Sequence, residues 1–497
     1  MLLVLELTMK RLIGFLLPFF LFGFISCQDD DEPVLTPDGQ EEVVITDVSG
    51  STVTNTKDIV VGNGEGEDVV FEMSSTVMNE NGRVTETTLN CCAMAAICLD
   101  GNKTDTTRTV ENVTLVNKGV ITVHTKDLVE RYADLIQDPE HPDRPYTYLR
   151  VLVMYAGKKS TVINEGTINV YFDHDPSVTS TVYVMALVAG EGSTIMNNGE
   201  INVYGNGSVA TRLRGMATFG DDITAINNGT ISAELDMSED ARMITTGGTN
   251  SNVINNGVMK MRMPGKILCM TRYGDSNLIN NNTIDITSTD MPEGYESIVG
   301  DEDHIVCGLY EPLQASRTGM PSLLNRGTIH IAIEGSERSE PLTQGYGMFC
   351  DLMAPKAEQL EVNIVNDGLI TLEQSGPVRF NMAEAGFVAR EVAQSGACNI
   401  HLGRWQTALR DFARTQDLFL AKGARMNFSG AQLLLLKGDD YQDGTAYSVA
   451  PEDLMYNAGG ETFRYEYSSY DNLVIKSADS SYKVDWDREA MKVSFVN

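Results

Sequence analysis

Positive charge is scarce in this chain. Its 37 lysines and arginines are outnumbered by 69 aspartates and glutamates, for a formal net charge of −32. The excess is spread along the chain, and such a surface repels phosphate backbones and anionic headgroups. Nucleic acid is therefore excluded as a partner, and a polyanionic glycan is disfavoured unless calcium bridges it. Proline is sparse too, 15 against 44 glycines, as expected where many tight turns join many short strands. Apart from Cys27, cysteines stand at Cys91, Cys92, Cys98, Cys269, Cys307, Cys350 and Cys398. That odd, scattered set is no disulfide framework and has no CxxC pair or Cys/His zinc spacing. The cysteines read as small core residues, with Cys92 and Cys98 left open as a bridge in an oxidising compartment. Nucleophile elbow, P-loop, dinucleotide fingerprint and HExxH are all missing.

Long apolar runs are confined to the N-terminus. Met9-Lys10-Arg11 precedes an apolar run from Leu12 to Ile25, too short to span a bilayer comfortably and too near the start for a core helix. The run closes on Phe24-Ile25-Ser26-Cys27. A small residue before a cysteine at that point resembles the lipobox of bacterial lipoproteins. The resemblance implies cleavage before Cys27 and lipid on its sulfur, where acyl methylenes anchor at about 0.8 kcal/mol each. The plain alternative is an ordinary signal peptide cut near a chance cysteine. Gln28-Asp29-Asp30-Asp31-Glu32 follows and resembles the surface-export signal of Bacteroidota lipoproteins, which implies a protein facing outward from the outer membrane. Its alternative is a solvated acidic linker.

One phrase is abundant. STVINEGTINVYF, from Ser160 to Phe172, returns as STIMNNGEINVYG, ITAINNGTISAEL, SNVINNGVMKMRM and SNLINNNTIDITS. Its asparagine falls at Asn117, Asn164, Asn197, Asn227, Asn255, Asn280, Asn325 and Asn366. Two residues later stands Gly119, Gly166, Gly199, Gly229, Gly257, Gly327 or Gly368, with Asn282 as the exception. Glycine first and asparagine second is the order of tolerance for positive φ, so a left-handed backbone is expected there. Four and six residues after the asparagine come apolar side chains such as Ile168 and Val170, with polar Asn169 between them. Period-two alternation marks a strand with one buried face. An upstream strand carries a recurring methionine, at Met154, Met185, Met216, Met243 and Met270, which reads as core filler.

The spacing is uneven, shortest from Asn255 to Asn280 and longest from Asn117 to Asn164. A constant phrase with variable loops, no 3.6 periodicity and too few strands for a propeller blade reads as one rung of a parallel β-helix. Rungs stack at about 4.8 Å, with right-handed connections. Stacking puts the asparagines in one column as an amide ladder, and a lone rung would not fold. The expected fold class is all-β, a right-handed parallel β-helix solenoid with an irregular N-terminal cap and a β-rich C-terminal cap. Its parts are a signal peptide at 1–26, an acidic tether at 27–45 and N-terminal strands at 46–111. The coil follows at 112–438, with insertions at 127–148 and 288–322, and then a cap at 439–497. The segment 404–417 reads as a short helix or an outward loop. The tyrosine-rich tail reads as the cap, with a sugar-stacking platform as its alternative. From about Asn112 to Gly438 the pattern resembles the passenger β-helices of bacterial adhesins and the pectate-lyase-like β-helix proteins. That resemblance implies architecture and says little of activity.

Chemistry is harder to find. Glycoside hydrolysis needs paired carboxylates at a set separation. Asp221-Asp222 and Asp439-Asp440 are sequence neighbours, which on a strand point to opposite faces. The Gly-His-Gly and Asn-Thr-Asp phrases of polygalacturonase-like hydrolases are absent. A lyase needs a base, and Arg150, Arg212, Arg242, Lys266 and Arg379 recur near the start of the upstream strand. If aligned they line one face as a basic ladder; otherwise they are solvated charges. Two weak calcium candidates remain: Asp100-Gly101-Asn102 with Asp105 and Glu111, and Asp173-His174-Asp175. The first puts Asp105 where an EF-hand needs glycine. Asp105-Thr106-Thr107 resembles a Bacteroidota O-glycosylation acceptor, which would place the sugar on Thr106. No catalytic residue and no cofactor is assigned, calcium being the one ion left open. The expected function is adhesin-like binding of a polysaccharide or a surface protein by a molecule tethered to the outer membrane. A polysaccharide lyase or hydrolase, and a structural envelope spacer, are the alternatives.

Overall fold

A computed structural model describes residues 43–273 except 65–67, 80–81, 106 and 209. It then describes 277–289, 305–313, 322–334, 343–352 and 362–375, and shorter segments between 378 and 497. Each turn of the chain is built from three strands. In one rung these are Leu149–Ala156, Thr161–Asn164 and Thr167–Phe172. Each pairs in parallel with its counterpart in the next rung, Val182–Ala189, Thr194–Asn197 and Glu200–Gly205. Repetition makes three sheets, which hold 14, 11 and 12 strands among the described residues. In chain order within a rung they are the first, second and third sheets. The fold is a parallel β-helix.

Alternation does the packing. Val162, Ile168, Val170 and Phe172 of one rung are fully buried in a single continuous core, each contributing roughly 1.5–3 kcal/mol. The first sheet breaks the alternation once per strand. Val153 and Met154 both enter the core, as do Met243 with Ile244 and Cys269 with Met270. This break corrects the single methionine column. Register aligns Met154, Leu187, Met216, Ile244 and Met270. Met243 fills the extra inward position. Met185 pairs with Leu152 and Arg214 in another column and packs in a separate cluster with Leu152, Val188 and Ala217.

At the corner between the second and third sheets the asparagine amides stack. From Asn117 the Nδ2 of each donates to the Oδ1 of the next, through Asn164, Asn197, Asn227, Asn255, Asn280 and Asn325 to Asn366, at 2.7–2.9 Å. The column starts one rung earlier than the repeated phrase indicates, since Asn55 donates to Asn117 at 2.9 Å. Every one of these side chains is buried. Most of these amides also bind backbone: Asn197 Nδ2 reaches Gly199 O at 3.3 Å and Thr230 O at 3.1 Å.

The glycine two residues on has a different reason from the left-handed backbone expected of it. Among the described residues positive φ falls on other glycines, such as Gly62, Gly192 and Gly248. A Cβ on Gly199 would instead lie 2.0 Å from Gly166 O, and one on Gly229 would lie 2.0 Å from Gly199 O. Each carbonyl accepts the N–H that follows the next glycine, Glu200 N to Gly166 O at 3.0 Å and Thr230 N to Gly199 O at 2.9 Å. The rungs thus close over a spot with no room for a side chain. At the exception, Asn282, the equivalent bond from Thr283 N to Gly257 O stretches to 3.3 Å.

The coil's boundaries also move. Thr52–Asn55 and Ile59–Val61 already pair with the second and third sheets, so rungs begin inside the segment expected to be an irregular cap. The long hairpin Val69–Asn79 with Gly82–Cys92 closes the first sheet at that end by pairing with Leu149–Val151. The expected insertion 288–322 contains Ile305–Leu313, a regular first-sheet strand between Lys266–Tyr273 and Thr343–Leu352. Val474–Ser477, expected in the cap, extends the third sheet beside Gln432–Lys437. Antiparallel pairing of Ala446–Ser448, Lys483–Asp487 and Lys492–Val496 follows, and Tyr441 and Tyr482 pack edge-on around Phe495. Tyr465, Tyr467, Tyr470 and the segment 404–417 lie outside the described residues. Cys92 and Cys98 are free, buried thiols and not a bridge. Cys92 packs in an outer cluster with Phe71, Ala95 and Ile97, while Cys98 joins the main core.

Candidate binding faces

The Asn column is buried, so it meets no ligand; what the coil offers outward are the polar positions between its core residues. On the third sheet, register places His124, Tyr171 and Tyr204 in one column. Their rings stack, with centroids 5.1 and 5.8 Å apart and planes within 13° and 29°. All three follow a column asparagine by seven residues, so the same offset in the phrase would have revealed them. Above Tyr204 the column changes to Glu234 and then Arg262, so Tyr204 is the last ring and is 37% exposed. The neighbouring outward column carries Asn169, Asn202 and Ser232, joined by side-chain hydrogen bonds of 3.3 and 2.8 Å. Further along, His330 meets Asp285 at 2.8 Å. A second, exposed amide ladder runs along the outside of the same corner through Asn198, Asn228, Asn256 and Asn281, at 2.8–2.9 Å.

The first sheet's outer face is charged and more enclosed. Its order is Arg150, Tyr183, Arg212, Asp240, Lys266. The basic ladder expected from sequence is therefore broken by a tyrosine and a carboxylate. Arg242 stands in the next column opposite Arg214, and Arg379 pairs with Gln344. Three arginines of this face are neutralised where they stand. Arg212 grips Glu239 through Nε and Nη2 at 2.9 and 2.6 Å. Asp240 accepts from Arg214 at 2.6 Å and Arg242 at 2.8 Å. Burial alone would raise the Asp240 pKa, but the two guanidiniums hold it well below the usual carboxylate range. Tyrosine rings lie beneath the cations: Arg150 and Arg212 both approach Tyr148, at 5.3 and 5.5 Å, and Arg214 approaches Tyr183 at 5.1 Å. One further ion pair, Arg272 with Glu311, is fully buried.

The calcium candidates have other partners. Leu99–Asp100 and Lys103–Thr104 form a tight hairpin around Gly101. Asp105 turns back to Thr107 N at 2.8 Å, and Glu111 meets Lys159 at 3.4 Å. Asp173 binds His124 Nδ1 at 2.7 Å and Lys126 N at 2.8 Å. It thereby satisfies an N–H at the start of helix Thr125–Tyr132, where a negative charge is favoured. His174 Nδ1 contacts Thr125 Oγ1 at 2.8 Å, and its buried Nε2 has no partner among the described residues. Asp221 accepts from Thr249 N and Asp222 from Asn250 Nδ2, each at 2.6 Å. These carboxylates shape turns. Among the described residues no group of three His, Cys, Asp or Glu side chains is placed to hold a metal. The 127–148 insertion folds onto the coil: Leu128, Val129 and Ile136 enter the core, and Tyr146 binds Glu72 at 2.7 Å. Cys27, Thr106 and the pair Asp439-Asp440 lie outside the described residues.

A family model described as the third pectate lyase-like domain of BigA matches residues 23–230. Over that span the chain is similar to a pectate lyase-like domain. The matched span contains the first rungs, the aromatic stack and most of the Arg–Tyr face. No curated protein and no solved structure gives a match. The similarity reaches the β-helix class, and neither a ligand nor a reaction follows from it.

Proposed function

We propose that this chain is a lipid-anchored, outward-facing lipoprotein whose β-helix binds a surface glycan in an adhesin-like manner. The leader supports the address: Ser26-Cys27 closes its apolar run, and four acidic residues follow at 29–32. The third-sheet face carries the binding reading. There the stacked His124, Tyr171 and Tyr204 adjoin the ordered amides of Asn169 and Asn202. A terminal tyrosine ring without an aromatic cover suits the apolar face of a sugar, and a row of amides suits its hydroxyls. The rigid coil holds both in place before binding, which lowers the entropy cost of association.

The test uses the chain from Gln28 onward with plant, host and bacterial polysaccharides, with and without calcium, following retention and cleavage together. Retention of the wild type without cleavage is expected. Tyr204→Ala should lose most of it, since stacking contributes about 0.5–1.5 kcal/mol beyond area. Chain cleavage, or equal retention of Tyr204→Ala, would overturn the reading. The address is checked separately by acyl labelling of Cys27→Ala in cells, which should abolish incorporation.

A further inference from the structure

The outer face of the first sheet holds one cation unlike its neighbours. Arg212, Arg214 and Arg242 each meet a carboxylate within 3 Å. Arg150 meets none among the described residues, and its Nε is buried without an acceptor. Its guanidinium rests on Tyr148, the same ring that Arg212 covers. Tyr183 stands between the two arginines in register. Burial pulls the Arg150 pKa down, while Tyr183, Tyr148 and Glu86 act the other way. Among the described residues Glu86 is the carboxylate whose charge reaches Arg150, from beyond ion-pair distance.

We propose that Arg150, walled by Tyr148 and Tyr183, is a binding site for a ligand group bearing a single carboxylate. Two rungs along the same column, Arg212 shows the contact that the site can make. Arg212 grips Glu239 with the Nε and Nη2 edge of its fork, the planar match of guanidinium to carboxylate. Among the described residues no acceptor holds the same edge of Arg150, so the side chain can lift from Tyr148 and present it. Arg150 as a whole is half-buried. In this enclosed setting an ion pair is screened less than on open surface. The class of ligand follows from the charge balance. A chain with net charge −32 repels a polyanion, and a lone unpaired guanidinium has capacity for one carboxylate. The site lies on a different sheet from the aromatic stack and stands independently of it.

The test is ligand-observed saturation-transfer NMR and titration of the full-length chain with glucuronate, acetate and glucose. Both carboxylates are expected to bind and glucose is not. Glucuronate binding more tightly than acetate would place the group on a sugar, and equal binding would assign recognition to the carboxylate alone. Arg150→Met should weaken binding at least tenfold, and Arg150→Lys less, because the charge stays and the fork is lost. Glu86→Gln, which removes the nearby competing charge, should tighten binding severalfold. Glucose binding as well as glucuronate would overturn the proposal, as would a folded Arg150→Met with unchanged affinity. If Arg150→Met fails to fold, Glu86→Gln decides, and unchanged affinity there is the refuting result.

Discussion

Removing one amide from the buried column should open the coil locally, and Asn197 is the residue to change. Its Nδ2 donates to Asn227 Oδ1 at 2.8 Å, Thr230 O at 3.1 Å and Gly199 O at 3.3 Å. Its Oδ1 accepts from Asn164 Nδ2 at 2.9 Å. Asn197→Ala removes all four contacts. Asn164 keeps Gly166 O and Glu200 O at 3.2 and 3.1 Å, so its share of the loss is partial. Asn227 Oδ1 loses its ladder donor inside the protein. At about 1 kcal/mol for each buried bond, the cost comes to about 3–4 kcal/mol. Asn198 is the internal control. It belongs to the exposed ladder, accepting from Asn228 at 2.9 Å, and Asn198→Ala should stay within about 0.5 kcal/mol of wild type. A solenoid opens rung by rung, so the assay is native-state hydrogen exchange at the Gly199 and Gly229 amides, alongside urea unfolding. The Gly199 N–H bonds Asn164 O and the Gly229 N–H bonds Asn197 O, both at 3.0 Å. A loss of 3 kcal/mol speeds exchange there roughly a hundredfold, at about 1.4 kcal/mol per factor of ten. If Asn197→Ala and Asn198→Ala exchange at the same rate, the buried ladder does not hold the rungs and the reasoning fails.

Two further substitutions test other parts of the account. Gly199→Ala places a Cβ 2.0 Å from Gly166 O and should destabilise by about 1–3 kcal/mol through overpacking. Asn282→Gly, at the naturally stretched position, should stay within about 1 kcal/mol of wild type; equal melting of Gly199→Ala and wild type would contradict the close-approach explanation. Burial holds His174 below its ordinary value of 6.5, with Asp173 and Asp175 acting weakly the other way. The folded chain therefore takes up this proton at lower pH than the unfolded chain. Stability at the helix Thr125–Tyr132 is full above about pH 6.5 and falls as pH drops towards the folded value. Exchange at the Lys126 amide should quicken over that window, and His174→Phe should remove the dependence; a flat profile in wild type would refute it.

The phrase around Asn164 was enough to decide the fold class. Period-two alternation after a fixed Asn-x-Gly corner has one compact solution when it recurs with loops of variable length, because each copy can bury its apolar face only against another copy. The same text led to errors wherever a residue's role depended on the rung below. Gly199 looks like a turn glycine in sequence and is a close-approach glycine in space. Arg150, Arg212 and Arg242 share a place near the start of their strands, yet register alternates the column with Tyr183 and Asp240 and moves Arg242 aside. Met185 leaves the methionine column for the same reason: the first-sheet strands break their alternation once, and a one-residue shift exchanges inward for outward.

The candidate faces divide in the same way. His124, Tyr171 and Tyr204 were accessible to sequence reasoning, since a constant offset from the asparagine becomes a vertical column once rungs stack. The unpaired state of Arg150 was not. It depends on Glu239 falling beside Arg212, on Asp240 reaching Arg214 and Arg242, and on a loop carrying Tyr148 under two guanidiniums. Local periodicity by itself determined that this chain coils and which side chains of the third-sheet strands face in. Only the tertiary structure decided which charges meet, because residues about 25 to 47 positions apart become neighbours one strand spacing away, and loop length sets which ones.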